Sequence, residues 1–241
     1  MSNSEPLAAS TDTVAITATA LTKRFGGAWA VRDLTFAVPQ RSVLLVVGPN
    51  GSGKTTLLRL LATALRPTSG RATVFGHDVV AHADAVRAQA AFVSATPGVY
   101  DSLTARENLQ FAAAMCGRRF EPITLWLDRV GLTGLGDHPA RTFSQGMKRR
   151  LALARAWLAA PSVLLLDEPF NGLDAEGVRL VHTMVAETTQ RGGCAVVATQ
   201  DWDRGTRIAE SVLVLSGGRM VDLTPAAHFA AHPLTVAGGR P

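Results

Sequence analysis

The chain has 241 residues, of which 47% are hydrophobic and 18% are charged, a composition that is ordinary for a globular protein of one α/β domain. Its formal net charge of +5 comes from Lys and Arg residues that are scattered, without long basic runs or interleaved aromatics. That distribution favours a solvated surface over a nucleic-acid-binding patch, so we expect no nucleic-acid partner. No stretch approaches the roughly 18 apolar residues that a membrane-spanning helix needs, and the N-terminus lacks the pattern of a secretory signal.

The two ends of the chain differ in composition from the part between them. Residues 1–13 are rich in Ser, Thr and Ala, and residues 225–241 contain several Pro and Gly residues, so we expect a disordered tail and a flexible tail there. Residues 14–224 are expected to form the folded domain. Cys116 and Cys194 lack the spacing of metal ligands, which predicts two buried thiols in a reducing compartment.

Segments that resemble strands alternate with segments that resemble helices along the domain. Residues 15–22 and 34–38 alternate loosely between apolar and polar side chains, which predicts an N-terminal antiparallel β lobe. Short apolar runs at residues 42–47 and 163–167 are typical of buried parallel strands. Residues 96–160 are mostly helical in pattern and lie between sheet strands. We therefore predict an α/β fold with a mostly parallel sheet and an inserted helical subdomain.

A phosphate-binding loop follows the first apolar run. Residues 48–55 fit the pattern G-x-x-x-x-G-K-S/T at every specified position, and a helix is predicted immediately after them. The glycines allow successive backbone N–H groups to point at one anion, Lys54 can reach the β- and γ-phosphates, and the Thr55 hydroxyl can ligate Mg²⁺. The loop and the next helical residue are the predicted nucleotide ligands: Gly48, Pro49, Asn50, Gly51, Ser52, Gly53, Lys54, Thr55 and Thr56. This pattern predicts a P-loop NTPase that binds a nucleoside triphosphate.

A pair of carboxylates ends the second buried run. Asp167 suits a contact to Mg²⁺, made directly or through water, and Glu168 is placed to hold the attacking water and accept its proton. A carboxylate pair at a strand end commonly has no catalytic role and only marks the point where the chain leaves the hydrophobic core. With a phosphate loop earlier in the chain, the catalytic interpretation is favoured.

Residues 143–147 read Phe-Ser-Gln-Gly-Met and open a basic helix. The pentad resembles the Leu-Ser-Gly-Gly-Gln signature of the ATP-binding-cassette (ABC) ATPases, and with the other two motifs it extends the resemblance over roughly residues 14–222. The resemblance implies that Ser144, Gln145 and Gly146 bind ATP held by another subunit. The chain would then work as a homodimer, or as a heterodimer with a second ABC ATPase subunit.

The same resemblance implies further contacts and partners. Phe25 matches the aromatic that stacks on adenine, a contact worth about 1–3 kcal/mol if it behaves like other base–aromatic pairs. Residues 171–174 resemble the loop that touches the opposite subunit. ATP and Mg²⁺ are the implied cofactors. An integral membrane permease subunit is the implied partner, with this chain bound peripherally at the cytoplasmic face of the cell membrane.

Two positions depart from the family pattern. The family has a Gln after the short strand at residues 91–93 that reaches Mg²⁺, and alignment places Ala95 there; Ser94 or Thr96 could supply a hydroxyl through water. The family also has a His that contacts the γ-phosphate, where this chain has Gln200. A Gln amide can donate a hydrogen bond but cannot carry a positive charge. We therefore expect complete ATP binding, slow hydrolysis, and catalytic roles for Glu168 and Gln200.

Within the family, the resemblance is closest to the ATP-binding subunit of the haem exporter of cytochrome c maturation. It rests on residues 61–67, 103–111, 155–158 and 167–170. The expected function is to power a separate permease, with haem as the candidate cargo. The alternatives are a generic drug, lipid or polysaccharide exporter subunit, and a soluble single-cassette ABC ATPase of a non-transport assembly complex such as iron–sulfur assembly.

Overall fold

The structure is a computed structural model that describes residues 14–118 and 122–231. Its strands are β1 (Val14–Phe25), β2 (Ala28–Pro39), β3 (Val43–Val47), β4 (Ser69–Val74), β5 (His77–Asp78), β6 (Ala90–Val93), β7 (Val163–Asp167), β8 (Cys194–Ala198), β9 (Ser211–Ser216) and β10 (Arg219–Pro225). Its α-helices are α1 (Lys54–Leu61), α2 (Ala83–Gln89), α3 (Ala105–Met115), α4 (Ile123–Arg129), α5 (Gln145–Leu158), α6 (Ala175–Gln190), α7 (Trp202–Thr206) and α8 (Ala226–Ala231). The predicted tail at residues 1–13 lies outside the described residues.

The central sheet has the strand order β10-β9-β3-β8-β7-β6. All neighbouring strands in it are parallel except β10, which pairs antiparallel with β9. Every residue of β3, β7 and β8 is buried, because both faces of the sheet are covered. The mostly parallel sheet predicted from the apolar runs is therefore present.

Each face of the central sheet has its own hydrophobic core. Leu44 and Leu165 point to one face, where they pack with α1 and with the four-stranded antiparallel sheet β2-β1-β4-β5, the predicted N-terminal lobe. Leu45 and Leu164, one residue away in each strand, point to the opposite face and pack with α5 and α6. This alternation follows from the two-residue period of strand side chains.

A third hydrophobic core lies among α3, α4 and α5 and forms the predicted helical subdomain. Helix α5 belongs to two cores at once. Its residues Leu151, Ala154 and Leu158 pack into the subdomain, whereas Leu153 and Trp157 pack against the central sheet. Helix α5 therefore joins the subdomain to the sheet.

Two local expectations are corrected by the structure. Helix α8 lies within residues 225–241, which we expected to be flexible; Phe229 is only 3% exposed and packs edge-on against Trp202, with ring centroids 6.0 Å apart. Six residues rich in Ala carry too little periodicity for this helix to be recognised, and residues 232–241 lie outside the described residues. Cys116, which follows the last turn of α3, is exposed and not buried. Cys194 is buried as expected, and burial raises the pKa of its thiol to about 12.

Within the described ranges, none of the helices combines the length and the apolar character that a membrane crossing requires.

Candidate functional site

The phosphate loop connects β3 to α1 and is wedged between two other strands. A Cβ atom added at Gly48 would lie 2.1 Å from the carbonyl oxygen of Leu215 in β9, and one added at Gly53 would lie 2.3 Å from that of Ala30 in β2. Gly53, with φ of 106°, is also the residue from which α1 begins. These glycines are needed because the loop backbone lies directly against neighbouring backbone.

We expect Gly48→Ala to lower the free energy of unfolding by about 1–3 kcal/mol more than Gly51→Ala does. Both glycines have positive φ, but a Cβ at Gly51 would meet no atom within 4 Å. The contact with Leu215 therefore distinguishes the two variants, together with the φ of 152° at Gly48, which lies farther from the left-handed helical region than the 78° of Gly51. Urea unfolding of both variants measures it, and equal losses of stability would contradict the packing argument.

The interior of the loop holds groups that suit phosphate oxygens. Lys54 is 6% exposed, and its Nζ donates hydrogen bonds to the carbonyl oxygens of Gly48 (2.6 Å) and Pro49 (3.2 Å). Burial lowers the pKa of Lys54, while the charges of Glu168 and Asp167 raise it. The hydroxyl of Ser52 is buried and has no hydrogen-bond partner among the described residues. An ammonium and an unpaired hydroxyl beside the glycine-rich backbone fit a polyphosphate.

Thr55 and Asp167 meet across the site. Asp167 is the buried last residue of β7, and the Thr55 hydroxyl donates to its carboxylate oxygens at 2.9 and 3.1 Å. Thr56 follows in the first turn of α1. Hydroxyl and carboxylate oxygens are ligands that Mg²⁺ prefers, so the two residues fit a magnesium ion.

Glu168 is held with one carboxylate oxygen anchored and one unpaired. Its φ of 48° lies in the left-handed region, which is uncommon for residues other than glycine and is concentrated at functional sites. Its Oε2 accepts hydrogen bonds from the Thr199 hydroxyl (3.1 Å) and from the backbone N–H of Gln200 (3.3 Å). Its Oε1 is buried without a partner in the described structure. This arrangement suits a group that must accept a proton.

The Gln200 side chain reaches the phosphate loop. Its Nε2 donates a hydrogen bond to Oδ1 of Asn50 at 2.7 Å, although the two residues are far apart in the sequence. The ends of β7 and β8 therefore bring Asp167, Glu168 and Gln200 to the same loop. The roles that we assign to these residues remain predictions.

Phe25 lies at the end of β1, at the hairpin that leads into β2. Its side chain is 49% exposed, and the Nζ of Lys23 lies 5.0 Å from the ring centroid. Since Ala30 of the following strand lies against Gly53, this hairpin borders the phosphate loop. An exposed aromatic ring at that border is available for the predicted stacking on adenine.

The signature residues lie at the start of α5. Ser144 caps the helix by accepting a hydrogen bond from the backbone N–H of Met147 (3.2 Å), Gln145 is exposed, and Gly146 lies close to Gly172, whose carbonyl oxygen would be 2.9 Å from an added Cβ. Within residues 14–118 and 122–231, no hydrogen bond links the three residues to the phosphate loop. A contact of these three residues with a nucleotide held by another subunit stays a prediction.

Two contacts at the candidate site were not predicted from the sequence. Thr199 anchors Glu168, and a hydroxyl directly after an apolar strand was the available signal. Arg150, which we included in a basic helix, is buried and donates to Oδ1 of Asp174 (2.7 Å), to Oε2 of Glu176 (3.2 Å) and to the Val130 carbonyl (3.1 Å). Arg150 thereby ties α5 to the loop at residues 171–174.

The known proteins that this chain resembles in sequence are ATP-binding proteins and a family of ABC transporters. Residues 31–171 match the model of a family described as ABC transporter. A daunorubicin/doxorubicin resistance ATP-binding protein from Streptomyces peucetius is 36% identical over 213 residues, which cover 87% of this chain but only 64% of that relative. A cytochrome c biogenesis ATP-binding export protein from Cupriavidus metallidurans is 44% identical over 170 residues, covering 70% of this chain and 81% of the relative. A sulfate/thiosulfate import ATP-binding protein from Synechococcus elongatus is 35% identical over 233 residues, covering 92% of this chain and 66% of the relative.

Solved structures agree on the fold. The structure of an ATP-binding subunit of an ABC transporter superposes with a TM-score of 0.80 at 24% sequence identity. The superposed region covers 93% of this chain and 95% of that structure's chain. A dimeric ATP-binding cassette bound to ADP and Pi superposes with a TM-score of 0.79 at 22% sequence identity. The superposed region covers 88% of this chain and 98% of that cassette's chain. These likenesses confirm the predicted fold class.

Proposed function

Since this chain belongs to the ABC transporter family, we propose that it binds and hydrolyses ATP to energise a separate membrane permease. The observation that carries this proposal is the arrangement at the phosphate loop. Lys54 lies inside the loop, the Thr55 hydroxyl contacts Asp167, and Glu168 has one anchored and one unpaired oxygen. Triphosphate hydrolysis needs these elements together: a phosphate cradle, a metal site and a base.

Each residue has a defined task in this proposal. The backbone and side chains of residues 48–55 hold the phosphates, and Phe25 holds the adenine. Thr55 and Asp167 would hold Mg²⁺, which neutralises charge on the phosphate oxygens when it is bound. Glu168 orients a water and takes its proton as the water oxygen bonds to the γ-phosphorus. The bond between that phosphorus and the bridging oxygen breaks, and ADP and phosphate leave.

The second half of the site comes from another subunit. Ser144, Gln145 and Gly146 lie at the N-terminus of α5, where backbone N–H groups and the helix dipole favour an anion, which supports their contact with a γ-phosphate held by another subunit. Either a second copy or a different ABC ATPase can supply that half. The molecular mass of the purified Glu168→Gln chain in solution with ATP distinguishes these two partners, since dimerisation of this chain alone supports a homodimer. Co-purification with another ATPase supports a heterodimer.

The permease is the proposed partner, and the cytoplasmic face of the membrane is the proposed location. Fractionation of cells tests both: the chain should sediment with membranes and be released when its permease is deleted. A fully cytosolic complex would instead favour the assembly ATPase, the alternative that needs no membrane protein.

We propose slow hydrolysis because the Ala95 side chain has no ligand atom for Mg²⁺ and Gln200 cannot carry a charge, and we expect Gln200→His to raise kcat. Gln200 Nε2 lies within hydrogen-bond distance of Asn50, so a donor is in place, but it is neutral. Losing one transition-state donor typically lowers a rate by about 10²–10³-fold, and an imidazole should recover roughly 3- to 30-fold of that. Steady-state phosphate release measures the change. A lower kcat in a folded Gln200→His variant would show that the amide is the better donor here.

Haem export for cytochrome c maturation is our proposed transport function. It is supported by the 44% identity to the cytochrome c biogenesis export protein. Drug export is a second candidate, because the resistance protein from Streptomyces peucetius matches a larger share of this chain. Deleting the gene distinguishes them: loss of covalently bound haem from c-type cytochromes supports the first candidate, and increased sensitivity to daunorubicin supports the second.

A further inference from the structure

Three cationic side chains of helix α5 contact the loop that precedes α3. We call residues 94–101 the β6–α3 loop. Lys148 forms an ion pair with Asp101 at 2.6 Å, and Arg155 donates to the Gly98 carbonyl oxygen while its guanidinium lies 5.0 Å from the Tyr100 ring centroid. The third cation, Arg149, differs from the other two in burial and in surroundings.

Arg149 binds the first two residues of the loop. Its guanidinium donates to the carbonyl oxygens of Ser94 and Ala95, and the side chain is 3% exposed overall. The carbonyl of Ala95 therefore makes the contact with α5, although its side chain has no polar atom. Two adjacent carbonyls held by one rigid, planar guanidinium fix the direction in which the chain leaves β6.

The carboxylates of the site lie beside this contact. Strand β6 pairs with β7 so that Val93 is opposite Leu166, and the next residues of the two strands are Ser94 and Asp167. Arg149 makes no ion pair within the described residues, and its Nε has no hydrogen-bond partner there. Burial lowers the pKa of Arg149, and the charges of Asp167 and Glu168 oppose that shift. A buried cation without an ion-pair partner is costly, so the attraction of these two carboxylates helps to keep Arg149 in place.

We propose that Arg149 is a positioning residue for ATP hydrolysis, which locks the β6–α3 loop to α5 and keeps a positive charge beside Asp167 and Glu168. This inference rests on the proposed ATPase function. Ser144 is the N-cap of α5, so the signature residue and Arg149 lie on one helix, and we expect nucleotide bound at Ser144 to order the loop through Arg149. The link uses backbone carbonyls, so it does not depend on the side chain at position 95.

Enzyme kinetics of the full chain test the role. Arg149→Met should lower kcat by about 10- to 100-fold, the size of effect that a small misplacement of reacting groups produces. The KM for ATP should stay within about threefold, since no ATP contact is removed. Arg149→Gln keeps a donor but loses the charge, and it should show a similar loss. Arg149→Lys keeps the charge and should recover part of the rate. Arg155→Met is the matched control, because Arg155 contacts the same loop without facing the carboxylates, and its kcat should stay within about twofold.

Hydrogen exchange gives a readout that needs no turnover. In a Glu168→Gln background, ATP should increase the protection of the amides at residues 94–101. Adding Arg149→Met should abolish that increase, whereas adding Arg155→Met should preserve it. If Arg149→Met does not fold, the Gln and Lys variants and the exchange data on them decide the question.

Specific results would overturn the inference. A folded Arg149→Gln variant with unchanged kcat and an unchanged exchange response would do so, and so would equal losses in the Arg149 and Arg155 variants. Failure of the proposed function gives a different result: the unmodified chain would release no more phosphate than Glu168→Gln. In that case the exchange response to ATP still tests the role of Arg149.

Discussion

Glu168→Gln should lower the kcat for ATP hydrolysis by about 10²–10⁴-fold and leave the dissociation constant for ATP within a few fold. Gln has nearly the same shape as Glu and keeps an acceptor for the Thr199 hydroxyl and the Gln200 N–H. It lacks the basic oxygen that is unpaired in Glu168. The loss should therefore fall on chemistry and not on binding.

Phosphate release and equilibrium binding of ATP, measured on the same preparation, separate the two effects. Glu107→Gln is a matched control, since Glu107 completes a capping box at the start of α3 and Gln can do the same. Its kcat should not change. A Glu168→Gln chain that hydrolyses ATP at the unmodified rate would remove Glu168 from the mechanism.

Lys54→Met should weaken ATP binding by about 10- to 100-fold, because a charge-assisted hydrogen bond contributes about 1.5–3 kcal/mol. Lys54 is buried inside the loop, and among the described residues its ammonium donates only to the Gly48 and Pro49 carbonyls. Met has a similar unbranched shape, so the fold should tolerate it.

Calorimetric titration with ATP measures this loss, and the melting temperature shows whether the fold survives. Arg59→Met is the control on the same helix, since Arg59 is an exposed cation in the last turn of α1. Similar affinity losses in the two variants would mean that general positive charge, not a contact inside the loop, governs binding.

The phosphate-binding part of the site could be predicted because it is contiguous in the sequence. The loop, the strand before it and the helix after it all lie within residues 42–62, so the local sequence pattern is enough to predict their arrangement. To predict that Asp167 and Gln200 lie at the same site, one more rule is needed. The carboxyl ends of neighbouring parallel strands meet at the same sheet edge, and the structure brings both residues there, against Thr55 and Asn50.

The contacts of the basic run on α5 could not be predicted. Lys148, Arg149 and Arg150 are adjacent and look like a solvated face, yet the two arginines are buried and bind carbonyls in different parts of the chain. Burial of an Arg depends on which acceptors the tertiary structure brings to it, and a single sequence does not contain that information. Helix α8 was missed for a related reason, because one aromatic residue anchors it to a distant element.

The packing of α5 into two cores restricts how this chain can change in length. One residue inserted in α5 between Ala154 and Trp157 would rotate the part of the helix before it by about 100° relative to the sheet and advance it by about 1.5 Å. Leu151 and Ala154 would then leave the subdomain core, and Ser144 would point in a new direction relative to the sheet. The two cores therefore fix the spacing between Ser144 and Trp157, and insertions in related chains should accumulate outside that segment.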